Sequence, residues 1–225
     1  MIRMERNIDG IAFDLDGTFY PDYRFYVRLV PFILRECRLL LAMGKARSAL
    51  RENPEEGDFY DLQARIMAKI LRKDPQTIKE RTERLIYRNW EPLFKKVKPY
   101  PHVRETLENL HKGGFKLGLL SDFPPEKKLE YLGLADHWDT ILCSESTGRL
   151  KPHSAPFGEL AKSMGLPPER ILYVGNSVKY DIIGAKRAGM KAALVSPCLL
   201  KKRRHRGNAD FIFSDYRQLY TFVLS

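Results

Sequence analysis

Two aspartates, Asp14 and Asp16, close the apolar run Gly10-Ile11-Ala12-Phe13 and are followed at once by Gly17 and Thr18. Paired carboxylates at that spacing can trade protons or attack an electrophile, and they serve equally well as turn residues or a helix cap. They can also begin a calcium loop. That rival fails on its own register, because the EF-hand glycine and the closing bidentate glutamate would fall on Phe19 and Phe25. Three further stations follow later in the chain. Ser121 ends the run Lys116-Leu117-Gly118-Leu119-Leu120, and Lys151 stands in Gly148-Arg149-Leu150-Lys151-Pro152, where it opens a helix. Gly175-Asn176-Ser177 ends Ile171-Leu172-Tyr173-Val174, with Asp181 just beyond. Taken singly, each has a plain reading: a turn serine, a solvated lysine, an N-capping aspartate.

The elements that must position these residues show in the hydrophobic pattern. Short apolar runs over 10–14, 116–121, 140–143, 171–175 and 192–195 predict buried strands. Helical patterns lie between them, over 102–112, 126–132, 155–164 and 179–188, several ending at Gly113, Gly133, Gly165 or Gly189 in the manner of C-caps. This alternation predicts an α/β fold, a doubly wound parallel sheet with right-handed crossovers. Residues 22–98 break the alternation, with a helical pattern rich in Arg, Leu and Ile and no clear strand. They predict an inserted helical subdomain, entered at Pro21 and left through Lys98-Pro99-Tyr100-Pro101, where two prolines force extended backbone. The core is then 1–21 together with 99–225. Ligands of an open parallel sheet bind beyond the carboxyl ends of its strands, which is where Asp14, Asp16, Ser121 and Asn176 fall.

In this order and after these strands, the four stations resemble the motifs of the haloacid dehalogenase superfamily of phosphohydrolases. The resemblance covers about two thirds of the chain, residues 8–21 and 99–225, and is most specific in Asp14-Leu15-Asp16-Gly17-Thr18 and in residues 175–190. The helical insertion resembles the cap of one subclass. The resemblance implies a Rossmann-like core and a phosphatase that hydrolyses small phosphomonoesters through an aspartyl-phosphate intermediate. Asp14 is then the nucleophile and Asp16 the general acid and base. Lys151, Ser121, Asp122 and Thr18 hold the phosphate, and Lys151 also pairs with Asp14. Mg²⁺ is the implied cofactor, ligated by Asp14, the Asp16 backbone carbonyl and Asn176, with Asp181 close by. The family most often has aspartate where Asn176 stands, so weaker Mg²⁺ affinity is expected. Asparagine also occurs here in the metal-free dehalogenase branch, but that branch lacks the second acid, and Asp16 is present. The alternatives are a phosphomutase with the same acids and a non-catalytic phosphate- or nucleic-acid-binding protein.

Composition narrows the partners. The chain has 225 residues, 39 Lys+Arg against 28 Asp+Glu and a formal net charge of +11, with 44% hydrophobic residues, the balance of an ordinary folded protein. Three scattered cysteines, Cys37, Cys143 and Cys198, predict neither a disulfide framework nor a zinc knuckle and suit a reducing, cytoplasmic compartment. The N-terminal residues lack the apolar stretch of a secretory signal, and no apolar run approaches the roughly 20 residues that span a bilayer. Residues 22–98 hold 18 Lys+Arg and 11 Asp+Glu, a net +7, and Lys201-Lys202-Arg203-Arg204-His205-Arg206 adds five positive charges. A basic cap over a near-neutral core suits a small phosphorylated metabolite as substrate. The six-residue run reads as an exposed loop rather than a nucleic-acid site. The oligomeric state is not legible.

Overall fold

The computed structural model describes residues 7–196 and 208–224. Six parallel strands, β1 (Gly10–Phe13), β2 (Lys116–Ser121), β3 (Thr140–Cys143), β4 (Ile171–Gly175), β5 (Lys191–Val195) and β6 (Phe211–Phe213), run in the order β3-β2-β1-β4-β5-β6. The order reverses at β1, whose neighbours are β2 and β4. β1 has no polar alternation because both its faces are covered: Ile11, Ala12 and Phe13 are fully buried. Ile11 and Phe13 pack with Leu107, Leu110, Leu129 and Leu219, while Ala12 packs on the other face with Phe157, Leu160 and Ile182.

The crossover helices are α4 (Val103–Lys112), α5 (Glu126–Leu132), α6 (Ser154–Met164) and α7 (Ile183–Arg187), and the chain closes with α8 (Tyr216–Leu224). Two expectations are corrected. The helix read as opening at Lys151 begins at Ser154, because Pro152 disfavours helical backbone at the residue before it and the His153 ring caps the Ala155 N–H. The segment read as one helix over 179–188 is a π-helical turn, Val178–Ile182, running into α7. The sequence reading stops short of β6 and α8. The basic run Lys201 to Arg206 and Cys198 lie outside the described residues.

Between Asp22 and Lys96 every element is helical: α1 (Asp22–Glu52), α2 (Phe59–Leu71), α3 (Pro75–Thr82), a π turn and a 3₁₀ turn. Asp58 caps α2 and Asp74 caps α3, each accepting a backbone N–H three residues on, with Pro75 at the first helical position. α1 bends at Glu36, whose backbone at φ −119° and ψ 25° leaves the helical region. The insertion has its own core, in which Leu39, Met43 and Ala46 of α1 meet Met67, Ile78 and Ile86. Its base is not separate: Phe25, Leu29, Phe94 and Val97 join the cluster under the sheet.

Candidate active site

The sheet's carboxyl edge gathers the residues. Asp14 still belongs to the ladder through its N–H, which donates to the Val174 carbonyl at 2.9 Å. Asp14 is 5% exposed, with its Oδ1 taking a hydrogen bond from Lys151 Nζ at 2.6 Å and Oδ2 one from the Thr18 hydroxyl at 2.7 Å. Lys151 reaches Asp181 Oδ1 at 2.7 Å as well, and donates to the Leu120 carbonyl and the Tyr173 hydroxyl. One ammonium thus serves two buried carboxylates. Burial pushes the Asp14 carboxyl up to about 7, against the downward pull of Lys151. For Lys151, burial disfavours the charge, but Asp14 and Asp181 outweigh it and hold the ammonium well above its usual range.

Two glycines permit this convergence. Gly17 turns the chain after Asp16 at φ +81°, and a Cβ there would lie 2.0 Å from Asn176 Nδ2, so Asn176 rests directly on the turn. At Gly175 a Cβ would fall 2.3 Å from the Asp181 Cβ, so only glycine lets that side chain fold back on the strand end. Asp181 sits within the π turn and accepts the Ser177 N–H at 2.9 Å, while Ser177 caps the turn by accepting the Tyr180 N–H.

Asp16 points the other way. Its carboxylate accepts from the Tyr20 hydroxyl at 2.5 Å and from Lys128 Nζ at 2.6 Å. Neither partner figures in the sequence reading. Tyr20 could have been found as a donor four residues from Asp16, but Lys128, on α5 and 112 residues away, carries no local signal. Ser121 is fully buried at the end of β2, its hydroxyl accepting the Phe123 N–H at 3.2 Å. The Asp122 carboxylate is turned to Arg51, Ser144 and the Lys151 N–H, so what it leaves for a phosphate is backbone. Burial would raise its pKa, but Lys151, Arg47 and Arg51 hold it below the usual carboxylate range.

Two arginines of α1, also absent from the sequence reading, fasten the insertion over this edge. Arg51 donates to Asp122 Oδ2 at 2.8 Å and to the Lys151 carbonyl at 2.9 Å, and stacks on Tyr180. Arg47 is buried and paired with the buried Glu145, and donates to the Asp122 carbonyl at 2.7 Å. Tyr87 donates to the same Glu145 carboxylate at 2.8 Å.

Among the described residues no three His, Cys, Asp or Glu side chains converge as a ready metal cage. The donors present are still those of a hard cation: the carboxylates of Asp14 and Asp181, the Asp16 carbonyl and the Asn176 amide oxygen. Two buried acids against one lysine leave negative charge that a divalent ion would offset, and each carboxylate oxygen, with one partner, has acceptor capacity to spare. The set fits Mg²⁺, which keeps several waters and needs few protein ligands.

The chain is similar to known proteins over most of its length. A family profile described as haloacid dehalogenase-like hydrolase matches residues 11–195. The glyceraldehyde 3-phosphate phosphatase of Methanothermobacter thermautotrophicus is 30% identical over 204 residues, covering 88% of this chain and 89% of that protein. The phosphoglycolate phosphatase of Haemophilus influenzae is 32% identical over 225 residues, covering 95% and 97%. Among solved structures, a 2-haloacid dehalogenase from Pseudomonas syringae superposes with a TM-score of 0.65 at 26% identity, covering 96% of this chain and 98% of that one.

Proposed function

The chain belongs to the haloacid dehalogenase-like hydrolases, and we propose that, like the two phosphatases above, it hydrolyses small phosphomonoesters, here through an aspartyl-phosphate formed on Asp14. The observation that carries this reading is the pair of acids with divided environments. Asp14 is buried, with Lys151 beside it to offset the cost that burial puts on its charge, while Asp16 faces the space under the insertion.

In the first step an Asp14 oxygen attacks phosphorus and the ester P–O bond breaks. The departing oxygen takes its proton from Asp16. In the second step Asp16, now a base, removes a proton from water, the oxygen of which attacks the same phosphorus and releases Asp14 and inorganic phosphate. Lys151 neutralises phosphoryl oxygens throughout, and Thr18 fixes the Asp14 carboxylate. Mg²⁺, held by Asp14, the Asp16 carbonyl, Asn176 and Asp181, would supply charge neutralisation for the phosphoryl group. Asp16 also separates this reading from carbon–halogen hydrolysis, since a halide leaves without a proton. A reducing, cytoplasmic setting suits Cys37 and Cys143, the free cysteines among the described residues.

Turnover of p-nitrophenyl phosphate with Mg²⁺ tests the reading. Asp14→Asn is expected to lower kcat by about 10³-fold or more with the fold intact by circular dichroism. Undiminished turnover in that variant would remove Asp14 from the chemistry.

A further inference from the structure

A cavity of about 270 Å³ lies between the insertion and the sheet edge, and Asp16 lines it. The group that receives the Asp16 proton is the leaving oxygen, so this cavity is where the alcohol portion of the ester resides. Its wall is chiefly carbon, with Phe25, Leu29, Met43, Trp90, Phe94 and Phe123 prominent. Both cations of the wall are committed. Arg47 pairs with Glu145, and Lys128 pairs with Asp16 while lying 5.2 Å from the ring centres of Phe94 and Phe123. The remaining charged groups, Asp22 and Glu91, are acids. A second carboxylate or phosphate on the alcohol would therefore meet repulsion and no uncommitted cation in this wall.

Gly44 adds an independent observation. It lines the cavity from the interior of α1, where glycine disfavours the helix relative to alanine, yet a Cβ there would meet nothing within 4 Å. Gly44 is itself exposed to solvent, so a side chain placed there has room to extend.

We propose that the substrate is a phosphomonoester of an apolar, ring-bearing alcohol or phenol, seated between these aromatic side chains, rather than a phosphorylated C2 or C3 acid or aldehyde. This rests on the phosphatase reading and departs from the substrates that name the two relatives.

The test compares kcat/KM with Mg²⁺ for 2-naphthyl phosphate, phosphoglycolate and glyceraldehyde 3-phosphate, in the native protein and in Gly44→Phe, with Gly44→Leu as a smaller plug should the first fail to fold. The naphthyl ester is expected to be preferred by about ten-fold or more, and the plug to cut its kcat/KM by about ten-fold through KM while the melting temperature does not fall. Preference for either small metabolite, or a folded plug variant that leaves naphthyl kinetics unchanged, overturns the proposal and leaves the phosphatase intact. Should no ester be turned over, the phosphatase reading falls, and calorimetry with 2-naphthyl phosphate decides about the cavity. Binding lost in the plug variant sustains the apolar site, and absence of binding to the native protein refutes it.

Discussion

Asn176 stands where the family resemblance leads one to expect aspartate, and its surroundings supply a reason. Asn176 Nδ2 and both carboxylate oxygens of Asp22 lie within 3 Å of the point a Gly17 Cβ would occupy, so the amide and the acid are neighbours. An amide N–H can donate toward a carboxylate, whereas a carboxylate at 176 would face a like charge, in a site where Asp14 and Asp181 already share one ammonium. Asn176→Asp is therefore expected to act in opposite directions with and without metal. The metal-free protein should melt at a lower temperature, and Mg²⁺ affinity by calorimetry should rise by about ten-fold, because the cation gains an anionic ligand. Adding Asp22→Asn should recover the lost melting temperature. Mg²⁺ affinity equal to or below that of the native protein would count against Asn176 as a ligand.

α1 is the element that makes the insertion part of the site. Arg47 and Arg51 lie four residues apart, on one helical face, and both reach across to the sheet edge. Removing the Arg47 side chain leaves Glu145, 1% exposed, without its counter-charge. Arg47→Ala is expected to cost about 3–5 kcal/mol in urea unfolding, far more than a surface pair would. A loss under about 1 kcal/mol would mean that water or Tyr87 satisfies Glu145 unaided. None of this is legible in the sequence, because the partners are 98 residues apart and each alone is an ordinary charged residue. The strands are another matter: parallel strands buried on both faces leave unbroken apolar runs, so β1, β2, β4 and β5 stand out; β3, at the sheet edge and only partly buried, is legible from its short apolar run, whereas β6 has three residues and no period to detect. The positions of Asp14, Ser121 and Asn176 are legible for the same reason, since a parallel sheet puts all its strand ends on one edge. Tyr20 and Lys128 are not, because what selects them is the tertiary position of the Asp16 carboxylate.

At the scale of the whole molecule, the +11 charge has a different use from the one its sum suggests. The insertion's cations nearest the site do not wait for substrate: Arg47 and Arg51 are bound to Glu145 and Asp122, so part of the basic charge closes one subdomain onto the other. On the proposed reading, the diffuse field of the remaining Lys and Arg draws in an anionic ester, while the cavity selects by shape and apolarity. Asp122 makes this closure sensitive to acid, with a definite sign. Its carboxyl is held below the ordinary value of about 3.9, so it binds fewer protons folded than unfolded, and its contribution is complete above that pH and lost as pH falls through the folded value. Asp122→Asn keeps the shape and removes the charge. The native protein is expected to exceed this variant in unfolding free energy by about 1–2 kcal/mol from pH 5 to neutrality, for an ion pair that is mostly buried. The two stabilities should converge below about pH 4, with Arg51 released from the sheet edge in both. Urea titrations at pH 7, 5 and 3 measure this. A difference that persists undiminished at pH 3, or that has faded by pH 6, would show that the Asp122 charge does not hold the subdomains together.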